Sequence, residues 1–374
     1  MRGRTVIAGI GHTAFGALSG RSATSLIVEA TRNALADANV DKTMVDALLV
    51  KPSTSAPQLM TGQIVAEALG LQPKLGMSWD QGGAAVIGMI SYASLAIEAR
   101  LCDIVVICFA DNPRTGSSEV YRSSTGTDGL FGYVGVPAAY AMIARRHMEQ
   151  YGTTPRQLGA VPIAARRHGA ANPSAQLRKP LSMADYLNEP YIVDPFRRSD
   201  CALVSDGGAA IVLMSAERAM QLAVRAPVPI LGFGLGQSSW DVRLRQDLTT
   251  TCATVSATTA FSAAGLAPED IDVAQLYDCF SIVPIMTLED YGFCKKGQGG
   301  AFVEEGRIEI DGDLPMNTAG GLLSETGMPG MQLVLEGVRQ VRGNANLQAR
   351  KANTCIVSSQ GGIMQTHGTL IIGG

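Results

Sequence analysis

The sequence predicts an α/β protein: two similar halves stacked as a five-layer α-β-α-β-α sandwich, with a loop domain inserted into the first half. Three observations predict it. A strand, a Gly-rich turn, an amphipathic helix, a short acidic loop and a second strand recur in that order near both ends. The strands alternating with helices are apolar on both faces, which indicates buried parallel strands with right-handed crossovers. Between the two copies, over about residues 111–215, the alternation dissolves.

The first copy opens with "VIAGIGHTAFG" (6–16), a strand broken by glycines. "SATSLIVEATRNALADANVDKTMVDALLV" (22–50) follows, with Leu26, Ala30 and Ala34 at helical spacing. The second copy runs from "VPILGFGLGQSS" (228–239) through "TVSATTAFSAAGLAPEDIDVAQLYD" (254–278), where Val255, Thr259 and Ala263 repeat that spacing. Each half then adds a helix rich in small residues and a continuous apolar strand. These are "GGAAVIGMISYASLAIEARLCDIVVICFA" (82–110) and "GGLLSETGMPGMQLVLEGVRQVRGNANLQARKANTCIVSS" (320–359). The halves are placed at 1–225 and 226–374. The insert starts with "ADNPRTGSSEVYRSSTGTDGLFGYVG" (110–135), whose Gly and Ser content reads as a loop over a pocket. A basic helical part follows, carrying Arg145, Arg146, Arg166, Arg167, Arg178 and Lys179. It is either a set of solvated helix faces or a surface for the phosphates of a nucleotide-bearing substrate.

Composition narrows the function. Of 374 residues, 46% are hydrophobic and 17% charged, a globular balance. A net charge of −3 gives no electrostatic footprint for nucleic acid. No stretch reaches the ~18 apolar residues of a membrane span, and the start reads as a strand rather than a signal peptide. Seven scattered cysteines with no Cys-x-x-Cys pair argue for a reducing cytoplasm, and against disulfides or a structural metal site. Only four histidines occur (His12, His147, His168 and His367), which limits metal and triad chemistry.

Several motifs, in order, carry a family likeness. "YDCFS" (277–281), "MNTAGGLLSETGMPG" (316–330) and "SSQGGIM" (358–364) together resemble the thiolase superfamily. The likeness runs nearly end to end and includes "NPSAQLRKPLSMADYL" (172–187) and "VSDGGAAIVLM" (204–214), similar to the loop-domain signature of one branch. That branch holds the sterol-carrier-type thiolases and the thiolase-like lipid-transfer proteins and aldolases. Fold alone does not fix chemistry.

The resemblance implies four catalytic positions for a working thiolase, and none is kept. The nucleophilic cysteine, which would sit at the N-terminus of the first buried helix where the helix dipole favours a thiolate, falls on Gly83. The histidine of His-Asp-Cys-Phe is Tyr277, that of Gly-His-Pro is Met328, and the second cysteine falls on Gln360 or Ser359. A covalent acyl-enzyme is therefore not supported. Gly83 either permits close helix packing or empties the sulfur's space for a bulkier substrate. Cys279 reads as packing, because active members of the branch carry the same cysteine.

Tyr277 is the residue left to do chemistry, with Asp278 beside it as a brace of the turn or a base. The aldolase-like relatives similarly carry Tyr-Asp-x-Phe. Cleaving the Cα–Cβ bond of a β-hydroxyacyl thioester needs no nucleophile. It needs a base for the β-hydroxyl and donors for the enolate oxygen. Donors are expected from the backbone of Gly82, Gly83 and Ala84 and from the Gly361–Gly362 turn. Asn317 is expected to hold a water or the thioester oxygen, as the resemblance implies. Ser324, Glu325 and His367 are expected to border the pocket, His367 with the alternative of a satisfied surface histidine. The relatives' second tyrosine, in the segment that replaces Gly-His-Pro, is absent here, and Met328 cannot transfer a proton.

The expected function is a retro-aldol lyase releasing a short acyl-CoA plus a ketone or aldehyde. The alternatives are a non-catalytic acyl-CoA or lipid binder or scaffold, and an acyltransferase of the acetyl-CoA acetyltransferase kind. No cofactor is expected beyond the coenzyme A of the substrate, and no metal. The resemblance implies a homodimer, with "CDIVVICFA" (102–110) as the strand that pairs across its two-fold axis. It also implies a small partner protein with a zinc ribbon and an OB-like fold.

Overall fold

The computed structural model describes residues 2–119, 128–133, 135–239, 242–328 and 330–374. Part of the expected loop over the pocket (120–127 and 134) and Pro329 of the "GMPG" segment lie outside the described residues. The first half runs β1 (Thr5–His12), α1 (Ala23–Ala38), β2 (Ala47–Lys51), α2 (Thr61–Leu69), β3 (Leu75–Ser78), α3 (Ala85–Glu98) and β4 (Ile104–Asp111). The insert supplies α4 (Gly135–Tyr151), α5 (Pro155–Ala171), α6 (Met183–Asn188) and a hairpin of β5 (Tyr191–Val193) and β6 (Phe196–Arg197). Strand β7 (Gly207–Ser215) and α7 (Ala216–Gln221) return to the first sheet. The second half runs β8 (Val228–Gln237), α8 (Ala253–Ala264), β9 (Val273–Gln275), α9 (Ile282–Asp290), α10 (Gly299–Glu304), α11 (Gly321–Ser324), α12 (Met331–Arg342), β10 (Thr354–Gly361) and β11 (Thr366–Gly373).

Among the described residues, nine strands pair in the order β3-β2-β4-β7-β1-β8-β11-β10-β9. The join between halves is slight, since β1 and β8 share only Val6↔Pro229 and Ile7↔Val228. The sheet therefore acts as two half-sheets with a seam. Helices α3 and α12 lie between them, and their apolar residues form one core with side chains from both half-sheets. Outside the first half-sheet, α1 and α2 build a second core. Outside the second, α8 and α9 build a third, joined by α4 and α5 of the insert. These are the five expected layers. Helix α3 is buried almost all round, as a central layer requires.

The duplication shows in how helices lie on strands. In β1, a Cβ at Gly9 would lie 2.7 Å from Ala38 Cβ, and one at Gly11 would lie 2.8 Å from the Asn33 carbonyl carbon of α1. In β8, a Cβ at Gly232 would lie 2.8 Å from Ala264 N, and one at Gly234 would lie 2.9 Å from the Ser256 carbonyl carbon of α8. Both copies thus use alternate glycines so that a helix backbone can rest on the strand.

Three expectations need correction. Among the described residues only β2–β3, β2–β4 and β9–β10 of the nine-stranded sheet pair in parallel, and its other strand pairs are antiparallel. Apolar character on both faces reports burial, not strand direction. The insert also ends earlier than residue 215, because the small, apolar run Gly207–Ser215 is β7, a central strand between β4 and β1. Finally, "CDIVVICFA" forms β4, which is flanked by β2 and β7 and so has no edge to offer a second copy. The free edge on that side belongs to β3.

Gly234→Ala is expected to lower the unfolding free energy by about 1–3 kcal/mol, because the new methyl meets backbone that cannot rotate away. The chemical-denaturation midpoint measures it. A change within error would show that α8 does not rest on the β8 backbone.

Candidate active site

A cavity of about 350 Å³ draws on both halves and on the insert. Gly82 and Gly83 line it from the approach to α3, and Tyr277, Gln360, Gly361 and Gly362 from the second half. Leu203, Phe280 and Leu322 give it apolar walls.

Tyr277 follows the short strand β9. The chain is fixed there by Asn317, whose Oδ1 accepts the Leu276 N–H at 2.7 Å and whose Nδ2 donates to the Leu276 carbonyl at 2.8 Å. The Tyr277 N–H donates to Ser358 Oγ at 2.8 Å. The side chain, 8% exposed, lines the cavity. Its ring passes close to two glycines. A Cβ at Gly330 would lie 3.4 Å from Tyr277 Cε2. A Cβ at Gly83 would fall on the Tyr277 hydroxyl and on the Gln360 carbonyl oxygen, with Tyr277 Cζ 2.8 Å away. The expected empty space at Gly83 is therefore filled. The phenol stands where a side chain of residue 83 would project, and no room is left there for a bulkier substrate.

Other expected residues are placed differently. Asn317 holds Leu276 with its Oδ1 and one Nδ2 N–H, its donors also act on Asp278, and it does not line the cavity, so it supports Tyr277 from behind. Asp278 is fully buried and accepts the Leu322 N–H at 2.8 Å, bracing the start of α11. Burial, against the donors at Leu322 and Asn317, pushes its carboxyl up to about 7. It lies behind the cavity lining. Ser324 donates to the Leu177 carbonyl and ties α11 to the insert. Glu325 accepts from Asn172 Nδ2 at 3.0 Å, and burial pushes it up to about 8 against the pull of Arg339. Met328 packs in the central core. His367 is no surface residue: it is buried, its Nε2 lies 2.8 Å from the Tyr291 hydroxyl, and burial lowers it to about 3. Ser324, Glu325, Met328 and His367 thus surround the site without lining it. Among the backbone donors, Gly82 N–H is spent on Asp80 Oδ1 (2.9 Å) and Ala84 N–H on the Gln81 carbonyl (3.1 Å).

Cys279 lines the cavity beside Tyr277, but its thiol is pushed up to about 12 by burial, far from a thiolate at neutral pH. The six basic residues of the insert are not among the lining residues, and Arg145 and Arg167 are paired with Asp194 and Glu309. Among the lining residues that escaped sequence reasoning, Tyr140 and Lys51 carry polar groups into the site. Tyr140, on α4, accepts from Gln360 Nε2 at 2.9 Å and donates to the Gly362 carbonyl at 3.1 Å, so it props the Gly361–Gly362 turn. Nothing in its helical surroundings marks it out. Lys51 ends β2, and a lysine closing the otherwise apolar "ALLVK" was a usable signal. Among the described residues, no group of three or more His, Cys, Asp and Glu side chains is arranged to hold a metal ion.

Residues 234–374 match the family described as Thiolase C-terminal domain-like. The chain is 38% identical to the 17-hydroxy-3-oxo-4-pregnene-20-carboxyl-CoA lyase of Mycobacterium tuberculosis, over 92% of this chain and 93% of that one. The chain belongs to the thiolase superfamily, on its aldolase branch. A thiolase-fold structure described as Ltp2-ChsH2(DUF35) aldolase superposes with a TM-score of 0.89 at 33% identity, covering 100% of this chain and 98% of that one. An acetyl-CoA acetyltransferase of Methanothermobacter thermautotrophicus is also 33% identical, over 92% of each chain. Thiolase-superfamily relatives with different chemistries therefore lie at similar distances, and the site must separate them.

Gly83→Ala is expected to destabilise the protein by about 1–3 kcal/mol, and less in a Tyr277→Ala background, where one of the two clashes is gone. Additive losses in denaturation of the two single variants and the double variant would refute the shared volume. A pH effect follows as well. A carboxyl raised on folding stabilises fully below its unfolded value, and that contribution is lost as pH rises through the folded value. For Glu325, and with it Asp278, the contribution to the unfolding free energy should fall as pH rises from about 4.5 to about 8, while the unfolded His367 imidazole, which loses its proton around 6.5, works in the opposite direction over the lower part of that range. Glu325→Gln should flatten that slope in a denaturation series.

Proposed function

We propose that this protein is a retro-aldol lyase that cleaves a β-hydroxyacyl-CoA to a short acyl-CoA and a ketone or aldehyde. The observation that carries the reading is the Tyr277 phenol standing in the volume a nucleophile at residue 83 would need. An acyl group cannot be held covalently there, which disfavours the acyltransferase reading despite the acetyltransferase relative. Retro-aldol cleavage needs no such link. The β-hydroxyl proton passes to a base, the Cα–Cβ electron pair moves onto the thioester, and a proton is returned to Cα. In this reading Tyr277 acts from its phenolate form: it takes the β-hydroxyl proton to become the phenol, and that phenol supplies the proton returned to Cα.

The apolar walls suit a bulky acyl group, and the pregnene carboxyl-CoA named for the mycobacterial relative makes a steroid side chain the first substrate to try. Coenzyme A enters only as part of the substrate. A small zinc-ribbon and OB-fold partner is part of the proposal, supported by the two-protein aldolase among the structural neighbours. The cavity rim carries Val136, Ile192 and Val204, exposed apolar residues that such a partner would cover. The proposed homodimer would form along the free edge of β3. Among the described residues no helix is long and apolar enough to cross a membrane, and a cytoplasmic location is proposed from the free cysteines.

Tyr277→Phe keeps the ring and should fold normally. Cleavage of a β-hydroxyacyl-CoA panel, run with and without the partner, should fall about 10²–10⁴-fold in kcat while acyl-CoA affinity stays within a few-fold. Full activity in Tyr277→Phe would end the assignment. Tight binding of the whole panel without turnover would favour a non-catalytic acyl-CoA binder, and a stable acyl label on any cysteine would restore the acyltransferase.

A further inference from the structure

Lys51 is a buried cation inside this cavity. It closes β2 at 4% exposure and lines the same space as Tyr277. Its Nζ donates to the Pro52 carbonyl and to Thr54 Oγ1, both at 3.2 Å, and stands 4.5 Å from the centroid of the Phe109 ring. The neighbouring carboxylates of Asp80 and Asp111 act on Lys51 through space and not as hydrogen-bond partners. Asp111 accepts from Ser53 Oγ at 2.6 Å and from the Thr54 N–H at 2.9 Å, which fixes the loop after β2. Asp80 accepts from the Gly82 N–H at 2.9 Å. Burial lowers the affinity of Lys51 for the proton.

An ammonium has three N–H bonds, and the protein takes two of Lys51's. Desolvating a charge costs several kcal/mol unless a counter-charge or further hydrogen bonds offset it. We propose that Lys51 is an anion-binding group of the cavity, which seats a negatively charged oxygen on a CoA-linked acyl group. The proposal rests on the acyl-CoA reading above and deepens it. Lys51 comes from the first half, on the side of the approach to α3, whose N-terminal partial charge favours the same sign of ligand. Tyr277 comes from the second half. The two groups can therefore serve different oxygens. When the Cα–Cβ pair moves onto the thioester, its oxygen becomes an enolate. The Lys51 ammonium pairs with that oxygen and keeps its own protons, while the β-hydroxyl proton leaves toward Tyr277.

Two thioethers of nearly equal shape test this without turnover: S-carboxymethyl-CoA, which is anionic at its tip, and S-carboxamidomethyl-CoA, which is neutral. Titration calorimetry at pH 7 should show the wild type binding the acid about tenfold more tightly than the amide. Lys51→Met should remove that preference, with both ligands still bound through coenzyme A, and Lys51→Arg should keep most of it. Equal affinities in the wild type would overturn the proposal even if Lys51→Met failed to fold, and so would a preference that survives in Lys51→Met. Failure of the wild type to bind either thioether would instead sink the acyl-CoA reading, and the Lys51 proposal with it.

Discussion

The site depends on one steric constraint: the Tyr277 hydroxyl and any side chain at residue 83 cannot occupy the same volume. The glycine is what lets the tyrosine in, and the tyrosine is what forbids the glycine's replacement. The Gln360 carbonyl oxygen closes the same volume from the other side. In this chain the phenol from the opposite half takes the volume that a side chain on the approach to the central helix would need. The rest of the region serves that arrangement. Asn317 clamps Leu276, Ser358 takes the Tyr277 N–H, and Asp278 anchors α11 behind it.

The environment supports proton movement more than covalent catalysis. Cys279, the thiol next to the phenol, is held protonated by burial and accepts a hydrogen bond from Gln360 at 3.3 Å. Gln360 is one of the two positions, with Ser359, at which the resemblance would put a second cysteine. Here its amide ties Tyr140 and Cys279 together and orients the wall. A buried amide with fixed partners defines geometry at the cost of reactivity.

Much of the fold was legible in the sequence because periodicity and glycine placement are local. The repeated strand and helix, and the glycines that let a helix lie on a strand, can be read without knowing any partner. Strand direction could not be read, since it depends on which distant segments pair. At the site, Tyr277 and Gly83 were found as departures from a motif, but their contact was hidden, because they are 194 positions apart. Asn317, Ser324, Glu325 and His367 were over-read: a motif marks segments near a cavity without saying which way each side chain turns. Tyr140 left no local trace. Lys51 did, as a charge at the end of a strand whose other residues are all apolar.

The placement of β1 also bears on how the protein is made. Its main partner is β7, with Thr5 opposite Ser215, and its remaining edge meets β8. At ~5–20 residues per second, a nascent chain emerging from the ribosome holds its first strand unpaired for about 10–40 s. Throughout that interval an apolar ribbon and its helices lack the centre of their sheet. A chaperone that shelters the growing N-terminal segment would shield that ribbon until β7 arrives.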